Sequence, residues 1–138
     1  MDVYDAGRTA LDNLTPLRIQ RKFATLDQPI RLASHAEAQL IVAEVSGGQQ
    51  AVGIINALHA RVGLPSFASS DPTAIRNQVI EERARELFLE SHHFFDVKRF
   101  NLPQIPPPGT SYGPKGGVYG DMRCFPLPDV ERDNNPNL

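Results

Sequence analysis

VIEERARELFLESHHFFDVKRF, residues 79 to 100, decides how the rest of the chain is read. Acids at positions 81, 82, 86, 90 and 96 are interspersed with Arg83, Arg85, Lys98 and Arg99, and two histidines stand side by side at 92 and 93. Through this charge run apolar residues at Val79, Ile80, Ala84, Leu87 and Phe88, spaced for a helix with one buried face. Phe88, Phe94, Phe95 and Phe100 add aromatic bulk that demands burial, so some of the charged groups are expected next to a core. Arg83 and Glu86, which flank the Ala84, Leu87 and Phe88 stripe, are expected to be the least exposed of them.

Upstream, the helical period persists back to Ile30 and breaks at Gly47-Gly48 and again between Gly63 and Asp71. Ala33, Ala36, Leu40 and Ala43 make a stripe of mostly small side chains, over which a second helix can approach closely. Ala51, Ile54, Ile55, Leu58 and Val62 repeat the spacing. Asp71-Pro72 is a start signal for a third helix, an acid to cap free N–H groups followed by a proline suited to the first turn. Unbroken from there to Phe95, that helix would be a rod of roughly 36 Å at about 1.5 Å per residue. The short connection makes the first two helices an antiparallel hairpin, with the third across it.

Residues 1–29 show no sustained period and read as an irregular or extended lead-in, with LRIQRKFAT (17–25) a short extended segment. Residues 30–102 form the helical region. From Pro103 to Leu138 prolines and glycines dominate, which excludes a continuing helix or a central strand. Tyr112, Tyr119, Phe125 and Leu127 favour packing of this segment over full disorder. The expected fold class is mainly α, a helical hairpin plus a long third helix with a Pro/Gly-rich irregular C-terminal tail.

The chain has 138 residues, enough for one domain, and its 14 Lys and Arg against 16 Asp and Glu give a formal charge of −2. No basic footprint for nucleic acid results. The one cysteine, Cys124, has no internal partner and leaves the redox setting open. MDVYDAGRTALDNL lacks the features of a secretory signal, no lipid-attachment cysteine is recognisable, and no apolar run approaches the ~20 residues that span a bilayer.

Chemistry-bearing constellations are few. His92 and Asp96 are spaced to reach one metal ion from one helical face, but no third ligand has matching spacing and His93 points away, so a structural or solvated histidine is the better reading and no metal is expected. Glu81 with Arg85 and Glu82 with Arg85 suit ion pairs along a helix. Carboxylates so flanked stay ionised and make poor proton shuttles, so no catalytic residue is assigned and no cofactor is implied. The glycines between Gly113 and Gly120 read as turns, with a ligand-facing loop presenting Tyr112 or Tyr119 as the functional alternative.

Four segments taken in order, IRLASHAEAQLIVAEV, AVGIINALHARVGLP, VIEERARELFLESHHFFDVKRF and VYGDMRCFPLPDVERDNNPNL, closely resemble the C-terminal part of the SusD/RagB family. The resemblance runs from about Leu17 to Leu138 and covers only the last portion of much longer proteins. It implies tetratricopeptide-like helical pairs, a lipoprotein on the outer face of the outer membrane, capture of glycans or other nutrients without catalysis, and a TonB-dependent transporter of the SusC type as partner. The family's ER..EL..EG.R.FDL.R pattern falls on Glu82, Arg83, Glu86, Leu87, Glu90, Phe95, Asp96, Val97 and Arg99. Ser91 stands where glycine is usual and His93 where arginine is usual. By this resemblance Arg83, Glu86, Glu90, Phe95, Asp96 and Arg99 are architectural, and the glycan-contacting residues belong to the larger N-terminal portion. A scaffold of this kind is expected to expose an apolar stripe on its helices. The competing reading is a small intracellular helical protein-interaction module.

Overall fold

The computed structural model describes residues 3–11, 13–111, 113 and 116–135, and leaves the side chain of Glu131 undescribed. The chain divides into two compact units, Met1–Asp96 and Val97–Leu138.

The first unit opens with a two-stranded antiparallel sheet, β1 (Val3–Thr9) and β2 (Pro16–Gln20), in which Tyr4 faces Ile19 and Thr9 faces Pro16. The register is irregular between Asp5 and Thr9, where Gly7 adopts a positive φ of 66° and donates its N–H to Asp5 Oδ1. The extended reading of residues 17–25 is met at its start by β2, while β1 was not anticipated. Most of its residues face solvent, so no two-residue alternation marks it in the sequence.

Three helices follow. α1 (His35–Ser46) is capped by Ser34, whose hydroxyl accepts from the Glu37 N–H. It begins later than the period starting at Ile30 implies, and Ala33 is exposed ahead of it. Gly47 and Gly48 both have positive φ, at 60° and 52°, a conformation that side chains disfavour and that turns the chain directly into α2 (Gly48–Arg61). α3 (Pro72–Glu86) starts as its sequence signal predicts, with the Asp71 carboxylate accepting from the N–H groups of Thr73 and Ala74 and Pro72 in the first turn.

α1 packs on α2 and α3 packs on both. Ala36, Leu40 and Ala43 from α1 meet Ala51, Val52, Ile55 and Leu58 from α2 and Ile75 and Val79 from α3, with Leu40 and Ile55 wholly buried. Each large aliphatic side chain so removed from water contributes roughly 1.5–3 kcal/mol. The alanines let the helix axes come together, as their spacing predicts. Val62 is exposed, beyond the end of α2. On the far side of α1, Ile41, Val42 and Val45 remain exposed.

The long third helix is not formed. α3 ends at Glu86, residues 87–91 form turns, and a separate α4 (His93–Arg99) follows. Leu89 and Ser91 adopt positive φ of 63° and 64°, which no α-helix accommodates. Along this stretch Leu87 is buried, but Ala84 is exposed, Phe88 is only half-buried and Phe95 is 61% exposed. The stripe drawn through Ala84 fails within α3 itself, whose buried face runs through Ile75, Val79, Glu82 and Arg83, and Phe95, beyond the break, takes no part in the buried face expected of the aromatic residues.

In the second unit, the end of α4 leads into a segment in which Gly109 and Tyr119 and then Thr110 and Tyr119 join by backbone hydrogen bonds, and Ser111 bridges Val118. The side chain of Gln104 holds the Met122 carbonyl and that of Arg123 holds Asn101. The tail is irregular as expected except for one short helix, α5 (Asp129–Asn134), which starts just after Pro128, at a place where proline precedes rather than interrupts a helix. Phe125 and Leu127 are exposed.

Ser91 occupies a left-handed position that costs a side-chain-bearing residue about 1 kcal/mol. Ser91→Gly is expected to stabilise the chain by up to about 1 kcal/mol, read as a raised urea midpoint with an unchanged slope; a lowered midpoint would show that the Ser91 side chain makes a compensating contact.

Candidate functional site

The break after Glu86 brings Arg83 and Asp96 together. Arg83 Nε donates to one carboxylate oxygen of Asp96 at 3.0 Å and Nη2 donates to the other at 3.1 Å, with both residues buried. Separated by thirteen positions, the two would stand about 20 Å apart on a continuous helix. Folded back, they form the two-pronged pairing for which a guanidinium is shaped.

A second buried pair was not foreseen. His59, on α2, places Nε2 2.8 Å from Glu82 Oε1 and Nδ1 2.6 Å from the Pro65 carbonyl. Glu82 also accepts from the Gln78 amide at 2.7 Å and lies 3.6 Å from Arg85, which pairs in turn with Glu81 at 2.8 Å. Arg85 thus takes both of its expected partners. Glu82, at 3% exposure, is the buried acid that Glu86 was expected to be, because Glu86 is only half-buried. With acceptors at both nitrogens the ring is suited to its doubly protonated form. The hydrogen bond to Glu82, with help from the Pro65 carbonyl, raises the His59 pKa above the ordinary histidine value against the opposing effect of burial.

His59 belongs to a row. Gln49, Asn56 and His59 lie along α2, and each holds the α2–α3 connection: Gln49 donates to the Ser69 carbonyl, Asn56 both donates to and accepts from the Phe67 backbone, and His59 reaches Pro65. Phe67 is thereby held against the core. The i, i+7 spacing of Gln49 and Asn56 was a signal available in the sequence, but polar residues at such spacing usually mark a solvated face.

Glu86 and Glu90 share a partner outside the helices. Lys22, just past β2, donates to the Glu86 carbonyl at 2.6 Å and pairs with the Glu90 carboxylate at 2.6 Å. An ammonium on the last carbonyl of a helix satisfies an orphan acceptor at the negative end of its dipole. Lys22 and Glu90 line a cleft with Phe23, Arg31, Ser34 and Arg61, open between the lead-in segment, α1 and the end of α2.

The remaining expected positions are dispersed. Phe95 packs edge-on against Phe94, and the Arg99 guanidinium stacks 4.1 Å from the centre of the Phe100 ring. His92 lies 3.4 Å from Glu37 while Asp96 is engaged by Arg83, so the metal-spaced pair is divided between different partners. Among the described residues no three His, Cys, Asp or Glu side chains cluster as a metal site. Tyr119 is partly exposed beside its backbone pairing with Thr110, and Tyr112 lies outside the described residues.

Three helices in mutual contact, fastened by buried ion pairs, make this a mainly helical protein. The sequence profile of the SusD family matches residues 31–138, and a SusD-like protein P2 from Formosa agariphila is 34% identical over 120 residues. That alignment takes in 75% of this chain and 23% of the relative, so the chain spans about a quarter of the relative's length. No solved structure matches. The chain belongs to the SusD family.

Two tests follow from the ion pairs. Asp96→Ala, which leaves a buried guanidinium unpaired, should lower the unfolding free energy by about 3–5 kcal/mol, and replacing both partners (Arg83→Met with Asp96→Leu) should cost less than that. Additive losses in chemical denaturation of the single and double variants would refute the coupling. For His59 the raised pKa means that its contribution is complete below about pH 6.5 and is lost as pH rises through the higher folded value. The chain should be more stable at about pH 6 than at about pH 8.5, and His59→Gln should flatten that difference; an unchanged slope in the variant would assign it to other groups.

Proposed function

We propose that the chain is the C-terminal portion of a cell-surface nutrient-binding protein that captures a ligand, most naturally a glycan, and delivers it to a TonB-dependent transporter of the SusC type without transforming it. The observation that carries this reading is the SusD family match over residues 31–138. The arrangement of the ionisable groups supports binding over catalysis, since Asp96 is held by Arg83 and Glu82 accepts from both His59 and Gln78. Such groups fix helices in place and are poor at exchanging protons with a substrate. Among the described residues no helix is long and apolar enough to cross a membrane.

The polypeptide that carries this segment, tagged and expressed in its native cell, is expected to be cleaved by protease added outside intact cells and to copurify with a TonB-dependent transporter. Protection from the protease together with fractionation into the cytosol would overturn the proposal in favour of an intracellular interaction module.

A further inference from the structure

The cleft beside the start of α1 takes Glu86 and Glu90 of the motif into its lining but not the Arg83–Asp96 pair, and its volume of about 360 Å³ is at the small end of the range for small-molecule sites. Arg31 enters it from the lead-in to α1 and Arg61 from the last residue of α2. Neither guanidinium has a partner among the described residues, whereas Lys22 is committed to Glu90 and to the Glu86 carbonyl. Three cations, Lys22, Arg31 and Arg61, face two acids, Glu86 and Glu90, across the lining, one net positive charge. A bare inorganic anion needs only the cations and is repelled by the carboxylates. A sugar acid uses both kinds of group, its carboxylate taking the planar forks of arginine and its hydroxyls donating to a carboxylate. Phe23, half-buried on the same lining, offers an apolar surface for the C–H face of a pyranose ring.

We propose that this cleft binds a carboxylated saccharide, with its carboxylate on Arg31 and Arg61 and a ring face against Phe23. The saccharide rests on the nutrient-binding role above, while the requirement for an anion rests on the cleft alone. It gives this part of the protein a ligand contact of its own, where the family resemblance places such contacts in the N-terminal portion.

The test titrates the isotope-labelled 138-residue chain with glucuronate, glucose and acetate, following backbone amide shifts by NMR. Glucuronate is expected to give saturable shifts at Arg31, Ser34 and Arg61 with a Kd of roughly 1 mM, the scale set by a ligand of its size. Glucose and acetate should bind at least about tenfold more weakly, one lacking the charge and the other the ring. Arg61→Ala should weaken glucuronate at least about tenfold, and Arg61→Lys less, because a point charge cannot reproduce the fork. Both arginines are exposed, and preserved spectral dispersion verifies that the variants fold. No saturable shift with glucuronate, equal binding of glucose, or indifference to both Arg31→Ala and Arg61→Ala would overturn the site; acetate binding as tightly as glucuronate would overturn the saccharide. Cytosolic location with glucuronate binding intact would remove the nutrient role and keep the cleft's chemistry, and the opposite pair of results would remove only the cleft.

Discussion

The bidentate pairing of Arg83 with Asp96 imposes the path of the chain from α3 onward. Two oppositely charged side chains buried together need each other, because either alone would carry a desolvation penalty with nothing to offset it. The pair forms only if the chain reverses between Glu86 and His93, and that reversal places Leu89 and Ser91 in the left-handed region. Local backbone strain is thus accepted where a buried charge pair overdetermines the fold. The same reversal ends α3 at Glu86 and leaves its carbonyl at a helix end for Lys22. Lys22 ties the segment after β2 to the end of α3 and lines the cleft.

A second constraint acts on the other side of the helix pair. The connection from α2 to α3 packs Phe67 against the core, and it is shaped by side chains of α2 that hydrogen-bond its backbone. His59 completes this row and joins it to α3 through Glu82. Two buried ionic contacts therefore orient α3, one towards α2 and one towards α4. Neither needs to add much net stability to matter, since buried pairs act chiefly against arrangements that would separate them.

For the proposed role, the division of labour among charged residues is informative. Arg83 and Asp96 of the ER..EL motif hold each other, while its Glu86 and Glu90 line the cleft that Arg31 and Arg61 face as cations with no partner among the described residues. The pairing of Arg83 with Asp96 removes those two groups of the charge-rich stretch from the cleft. It also directs attention to residues that sequence spacing gave no reason to single out, since Arg31 and Arg61 are thirty positions apart on different elements.

The helices were legible because their signals are local. Stripes at three and four residues mark the buried faces of α1 and α2, Gly47-Gly48 marks the turn, and Asp71-Pro72 marks a cap, each arising from backbone geometry within a few positions. Family membership was legible for a similar reason, as ordered motifs in a linear string. The break after Glu86 was not, because helix periodicity continues through Leu87 and Phe88 and what ends the helix is a contact between Arg83 and Asp96. The partner of His59, the strand pairing of β1 and the lining of the cleft share that character. Each depends on groups far apart in the chain, brought within hydrogen-bonding distance only after the helices have packed, so tertiary structure alone decided them.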